Sequence, residues 1–258
     1  MILSTENLTL SFGGLVAVED LSIQIDENEL VGLIGPNGAG KTTVFNLLTG
    51  VYPPTSGSFT FLNEKIEKKN TYQLVRQGIA RTFQNIRLFK NMSILNNVLS
   101  ALNFNMHYSI GGGMFRLPSY WREEKKAVEE ALELLKIFQL DEYASWAAGA
   151  LPYGKQRKLE IARAMATNPK LLLLDEPAAG MNPIETEELM ETIELLRKQF
   201  PISILLIEHD MKLVLGVCER LFVMDHGRLI AQGNPKEVVN HPQVIRAYLG
   251  EEEEDDLC

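Results

Sequence analysis

Long apolar runs are missing from this 258-residue chain: nowhere do 18 or more apolar residues follow one another, so no helix is expected to span a bilayer. Cysteine is scarce. Cys218 falls in a helical pattern and Cys258 is the last residue, and two such distant residues make no disulfide framework and fit a reducing compartment. Positive charge is short as well, with 25 Lys and Arg against 34 Asp and Glu, and the formal net charge of -9 disfavours nucleic acid as a main partner. Six of the negative charges form a run at residues 251–256, which reads as part of a solvated acidic tail over 251–258. The first residues carry no basic region leading into an apolar stretch, so no signal peptide is expected. There is no internal repeat.

What remains is a globular composition, with 45% apolar and 23% charged residues, long enough for one large domain with a subdomain or for two small ones. Ile2, Leu8, Leu10, Val16, Val18, Leu21, Ile23 and Ile25 alternate with polar residues and predict short half-buried strands, with Gly13-Gly14 as a turn. Residues 29–34 predict an apolar strand running into a glycine-rich loop, and residues 42–49 a helix. Residues 59–62 read as an edge strand after a Pro53-Pro54 turn. From about residue 92 to 166 the pattern is mainly helical: Ala127, Ala131, Leu134, Leu135 and Phe138 share one face over residues 120–138. Three consecutive glycines mark a loop over residues 110–118. Leu171–Leu174 and Ile202–Ile207 are continuous apolar runs, as expected of parallel strands buried on both faces, with a helix between them over residues 183–200. Residues 220–224 and 229–232 predict a last strand pair turning at His226-Gly227.

One pattern is specific. Gly35-Pro36-Asn37-Gly38-Ala39-Gly40-Lys41-Thr42-Thr43 fits G-x-x-x-x-G-K-[ST] and lies between a predicted strand and a predicted helix. Its glycines let backbone N–H groups close around phosphate oxygens, and the helix N-terminus adds positive potential. Lys41 would reach the β- and γ-phosphates, and the Thr42 hydroxyl would hold Mg²⁺. An ordinary glycine turn before a helix is the alternative, and the strand–loop–helix context argues against it. The chain holds this pattern once, so it carries half of any two-site machine. A second pattern, Leu171-Leu172-Leu173-Leu174-Asp175-Glu176, ends an apolar strand in carboxylates at the sheet edge where open α/β folds bind ligands. Asp175 would orient Mg²⁺ through water and Glu176 would polarise the attacking water as general base; taken alone, the pair could merely cap the next segment.

Further segments narrow the choice. Leu151-Pro152-Tyr153-Gly154-Lys155-Gln156-Arg157, with Leu159-Glu160-Ile161-Ala162-Arg163 after it, resembles the signature of the ABC transporter ATPase family and stands shortly before Asp175. Gln84 in Arg81-Thr82-Phe83-Gln84 is similar to the family's Q-loop glutamine, His209 in Ile207-Glu208-His209-Asp210 to its switch histidine, and Ala179-Gly180-Met181-Asn182-Pro183 to its D-loop. Phe12 matches the aromatic that stacks on adenine. Each has a plainer reading alone: His209 as a structural histidine, Gln84 as a surface residue, Phe12 as core. All occur in family order, and the resemblance covers essentially the whole chain. His107, His226 and His241 have no motif support.

The resemblance implies an α/β fold: a P-loop NTPase core with a mainly parallel sheet (about residues 1–88 and 166–250), an N-terminal antiparallel β subdomain and an inserted α-helical subdomain (about 89–165). It implies ATP and Mg²⁺, with Lys41, Glu176 and His209 catalytic. Phe12, Val18, Asn37, Gly38, Ala39, Gly40, Lys41, Thr42, Thr43, Gln84, Pro152, Tyr153, Gly154 and Asn182 would meet the nucleotide, and Thr42, Gln84 and Asp175 the metal. It implies a head-to-tail dimer with a second ATPase subunit, identical or related, in which each nucleotide bridges both. Transmembrane permease subunits would dock a short helix in a groove near Gln84, with Phe83, Ile86, Leu88 and Phe89 contributing. An extracytoplasmic binding protein would act indirectly, and the chain would sit peripherally on the cytoplasmic face of the membrane.

Two departures stand out. The usual signature Ser-Gly-Gly-Gln is Pro152-Tyr153-Gly154-Lys155 here, so no serine hydroxyl is available and the contact across the dimer would rest on the Gly154 N–H, its neighbours and the charge of Lys155. Asn182 stands where aspartate is commoner. The signature tyrosine, with Leu-Glu-Ile-Ala-Arg after it and Ile245-Arg246-Ala247-Tyr248-Leu249-Gly250 at the end, resembles the subgroup that powers branched-chain amino acid uptake. Lipopolysaccharide-export ATPases share part of these patterns, and a soluble ABC ATPase of repair or translation would carry two cassettes or a coiled-coil insertion.

Overall fold

A computed structural model of the chain describes residues 1–103 and 118–249. His107, the three-glycine loop and the acidic tail with Cys258 lie outside the described residues.

Two sheets form among the described residues. The N-terminal one is antiparallel. β1 (Leu3–Phe12) turns at Gly13-Gly14 into β2 (Leu15–Leu21), and β3 (Gln24–Ile25) also pairs with β1. β5 (Ser56–Phe61) lies between β1 and the two-residue β6 (Glu64–Lys65), so it is an inner strand rather than the expected edge. The reason is local. Leu62 and Asn63 both take positive φ, 51° and 63°, and form a two-residue hairpin loop whose twist folds the chain back.

The second sheet has the order β11-β10-β4-β9-β8-β7. β4 (Leu30–Ile34), β7 (Ile79–Arg81), β8 (Leu171–Asp175), β9 (Ser203–Ile207) and β10 (Arg220–Asp225) run parallel, and β11 (Arg228–Gly233) closes one edge antiparallel to β10. Every residue of β4, β8 and β9 is buried. Alternate side chains enter different cores. Leu171 and Leu173 join the cluster shared with the antiparallel sheet and the first helix, whereas Leu172 and Leu174 join the cluster under the other helices.

The helices, numbered as described, are α1 (Lys41–Leu48), α2 (Thr71–Gln77), α3 (Ile94–Leu102), α4 (Pro118–Ile137), α5 (Tyr153–Met165), α6 (Pro183–Gln199), α7 (Met211–Val217), α8 (Pro235–Val238) and α9 (Pro242–Leu249). β7 and β8 are neighbours in the sheet, yet α3, α4 and α5 lie between them in sequence. The stripe predicted for α4 is its buried face: Ala127, Ala131, Leu134 and Leu135, with Phe138 just beyond the helix.

The helical layer is fastened to the sheet by a buried charge. Arg157 of α5 is fully enclosed; its guanidinium donates to the Phe83 carbonyl at 2.6 Å, the Gln84 carbonyl at 2.6 Å and Glu160 Oε2 at 2.8 Å. Glu160 Oε1 accepts from the Arg87 N–H at 3.0 Å. Removing one partner of such a pair strands the other in the interior. Glu160→Ala is therefore expected to destabilise the chain by about 3–5 kcal/mol, and Arg157→Met with Glu160→Leu to recover most of the loss; chemical denaturation of the three chains measures it.

Candidate functional site

The carboxyl ends of the parallel strands converge on one rim, where open α/β sheets bind ligands. β4 ends at Ile34 and the chain enters the glycine loop. Gly35, Gly38 and Gly40 have φ of 149°, 84° and 96°. At Gly35 no side chain fits, because a Cβ would lie 2.1 Å from the Met224 carbonyl oxygen. Gly40 in the left-handed region then starts α1 without a side-chain cap, so the first-turn N–H groups face the loop. Asn37 and Gly38 are exposed and Ala39 is buried; Thr42 is exposed and Thr43 half-buried. Lys41 is buried, and its Nζ donates to the Gly35 and Pro36 carbonyls at 2.7 and 2.9 Å. Burial pulls its pKa below the ordinary lysine value, and the nearby charges of Glu176 and Asp175 oppose that shift.

Those carboxylates end β8. Asp175 Oδ2 accepts from Arg81 Nη2 at 2.7 Å, in an ion pair with both side chains nearly buried. The same guanidinium donates to Asn46 Oδ1 of α1 at 2.8 Å and lies over the rings of Phe45 and Phe83. Glu176 has φ of 46°, a strained conformation for a residue with a side chain, and its N–H donates to the Ile207 carbonyl at 2.9 Å. Its Oε2 accepts from Gln84 Nε2 at 2.7 Å. Sequence-distant Lys41, Asp175, Glu176 and Gln84 thus meet at one rim. His209 follows β9. Its side chain is 65% exposed, and its backbone N–H donates to Glu208 Oε2 at 3.0 Å.

A second cluster stands apart. Among the described residues, no hydrogen bond or ion pair joins Pro152, Tyr153, Gly154 or Asn182 to the phosphate loop. Pro152 is the N-cap of α5 and supplies no side-chain cap to the first N–H groups of that helix. Tyr153 packs on Gly180, where a Cβ would lie 3.3 Å from its ring, and a Cβ at Gly154 would lie 2.6 Å from Glu185 Oε1. Asn182 caps α6, accepting from the Ile184 and Glu185 N–H groups in a capping box with Glu185. Lys155 Nζ lies 4.3 Å from the centre of the Tyr143 ring.

Phe12 is 46% exposed and meets Tyr52 edge to face, with ring centres 5.2 Å apart. Val18 lies inside the core of the antiparallel sheet with no exposed surface, so its side chain is not beside Phe12 at the surface. Leu88 and Phe89 line a groove of about 540 Å³ with Arg87, Ser100, Glu160 and Arg163. Phe83 lines a neighbouring smaller cleft and lies under the Arg87 guanidinium, 4.0 Å from its ring centre.

The oxygen donors at the rim suit a hard cation. They are the Thr42 hydroxyl, the Asp175 carboxylate and the Gln84 amide oxygen, and no group of three or more His, Cys, Asp or Glu residues gathers among the described residues. That donor set matches Mg²⁺, which keeps waters and shares phosphate oxygens rather than needing an all-protein cage. Several residues here carry no motif role: Arg81, Arg157, Glu160, Glu208 and Tyr52. Tyr248 of α9 joins them, since its hydroxyl meets the Gly35 backbone and burial pushes its pKa up. Arg157 had a signal in the sequence, because it falls with Gly154, Lys158, Ile161 and Met165 on one helical stripe.

Comparison with known proteins agrees along the chain. A model of the ABC transporter family matches residues 18–179, and one of the branched-chain amino acid ATP-binding cassette transporter family matches residues 228–254. The "High-affinity branched-chain amino acid transport ATP-binding protein BraF" of Pseudomonas aeruginosa is 46% identical over 250 residues, 97% of this chain and 98% of that one. The correspondingly named LivG of Escherichia coli is 47% identical over the same shares. The "Lipopolysaccharide export system ATP-binding protein LptB" of Escherichia coli is 34% identical over 97% of this chain and 98% of its own. A crystal structure of the ADP conformation of an ATP-binding cassette of an ABC transporter superposes with a TM-score of 0.84 at 34% identity, covering 97% of this chain and 99% of that one.

The tight fit at Gly35 has a measurable consequence. Gly35→Ala must displace the loop from β10, and a misplacement of about 1 Å can cost about 100-fold. ATP turnover is expected to fall by that order in a steady-state hydrolysis assay, with the melting temperature recorded alongside.

Proposed function

This chain belongs to the ABC transporter family, and from that premise we propose that its ATP hydrolysis drives uptake of branched-chain amino acids through separate membrane subunits. The observation that carries the cargo is the identity of 46% and 47%, over 97% of the chain, to proteins named for branched-chain amino acid transport. Among the described residues no helix is long and apolar enough to cross a membrane, so the path for the cargo belongs to partners. The chain would lie peripherally on the cytoplasmic face, with an extracytoplasmic binding protein delivering cargo on the other side.

In this reading the Gly35-to-Thr43 loop wraps the phosphates with backbone N–H groups. Lys41 exchanges its two carbonyl partners for β- and γ-phosphate oxygens, a change favoured by its burial. Phe12, with Tyr52 behind it, offers a face for adenine. Thr42, Asp175 and Gln84 would hold Mg²⁺, which when bound would offset phosphate charge. Arg81 holds the Asp175 carboxylate in place. Glu176 releases Gln84 and orients the attacking water as general base, and His209 contacts the γ-phosphate.

The signature residues lie apart from this rim on their own chain. A head-to-tail dimer with a second ATPase subunit would bring the uncapped N-terminus of α5, at Pro152, Tyr153 and Gly154, onto the partner's nucleotide. Asn182 serves its own helix in this arrangement and leaves the facing contact to the D-loop backbone. The groove lined by Leu88 and Phe89 would accept a short helix of a membrane subunit.

Cells whose own copy is replaced by this chain are expected to take up labelled leucine, and the Glu176→Gln variant to lose that uptake together with ATP hydrolysis. Uptake indifferent to Glu176 would redirect the cargo to other small molecules or exported lipids, as the 34% identity to LptB would then suggest. Gln84→Ala is expected to lower transport more than ATP binding; unchanged transport would remove Gln84 from coupling.

A further inference from the structure

Glu208 lies between two catalytic elements yet has no part in the mechanism above. It is 1% exposed overall and its side chain is fully enclosed. Its Oε1 accepts from the Ala178 N–H at 2.8 Å, two residues beyond Glu176. Its Oε2 accepts from the His209 N–H at 3.0 Å and the Asp210 N–H at 3.3 Å. We propose that Glu208 is a positioning residue for hydrolysis, its one carboxylate holding the turn after Glu176 and the segment of His209 in fixed relation.

The chemistry of the site requires both oxygens as acceptors. Three backbone N–H groups from two segments point at one side chain. A glutamine offers one acceptor and one donor, so whichever way it lies, its NH₂ faces an N–H group. An aspartate is one methylene shorter and can serve its own loop or Ala178, but not both. Burial of an anion is unfavourable, and burial raises the Glu208 pKa while the three N–H donors work against that. The His209 ring lies beside it, with Nδ1 3.8 Å from Oε2 and mostly in solvent. A core position that needed only packing would be served better by an apolar residue. The carboxylate is therefore explained by what it joins.

The join is continuous with the sheet. β8 and β9 pair with Asp175 opposite Ile207, and the Glu176 N–H closes on the Ile207 carbonyl at 2.9 Å. Glu208 extends that pairing past the strand ends, where no ladder can reach. On its far side Asp210 caps α7, accepting from the Lys212 and Leu213 N–H groups. The backbone around His209 is thus held on both sides while its ring stays free to meet a ligand.

This inference rests on the assignment of Glu176 and His209, and the test separates the two. The purified full-length chain and its Glu208→Gln, Glu208→Asp and Glu176→Gln variants are compared in steady-state ATP hydrolysis, equilibrium binding of Mg-ATP and thermal melting. Loss of a charge-assisted hydrogen bond at this place should lower kcat by about tenfold or more in both Glu208 variants. KM and the binding constant for ATP should stay within about twofold, because no Glu208 atom lies on the phosphate loop. If the glutamine variant does not fold, the aspartate variant decides. A kcat near that of the unsubstituted chain, affinity lost in step with kcat, or failure of both variants to fold overturns the positioning role. Hydrolysis persisting in Glu176→Gln overturns the assignment beneath it instead.

Discussion

Leu171, Leu172, Leu173 and Leu174 are all buried, but they do not share a core. Alternate side chains enter the apolar layers on opposite faces of one parallel sheet, and the strands beside them do the same. A sheet sealed on both faces leaves polar chemistry only at its strand ends. Residues from four distant stretches, the 35–43 loop, Gln84, Asp175-Glu176 and Glu208-His209, are thereby delivered to one rim. The sealed sheet is also close-packed, which holds the strand ends in fixed relation.

Polar side chains then stitch together what the sheet cannot. Arg81 joins β7 to the end of β8 and to α1, and Arg157 joins α5 to the two carbonyls around Gln84. Both are charged groups in the interior, and each is stabilised by a carboxylate and by acceptors fixed elsewhere in the fold. The Arg157 contacts bind the backbone bearing Gln84 to α5. The groove lined by Leu88 and Phe89 lies against that same joint.

Local conformation adds a further constraint. Glu176 sits at positive φ and Gln84 holds its carboxylate, while Lys41 rests on the carbonyls of its own loop. Strain of this kind persists only where the surroundings over-determine it. Here the Ile207 carbonyl on one side and the Ala178–Glu208 contact on the other do so.

Much of this was legible in one dimension. Period-two alternation, the two apolar runs and the G-x-x-x-x-G-K-[ST] loop depend on local chemistry, so the α/β fold, the phosphate loop and the strand-end carboxylates could be read directly from Gly35 through Thr43 and Leu171 through Glu176. Resemblance to the ABC transporter ATPase family, in that family's order along the chain, singled out Gln84 and His209. Pairing across the fold could not be read that way. Nothing local distinguishes Arg81 or Glu208 from a solvated charge, or makes β5 an inner strand by a turn at Leu62-Asn63. Burial and hydrogen-bond partners are properties of segments brought together from far apart. The sequence by itself determined the main strands and helices, because each follows from neighbours a few positions away, and its family resemblance proposed the reactive residues. Only the tertiary structure decided which buried charges hold those residues in place, because that depends on which distant segments the sheet sets side by side.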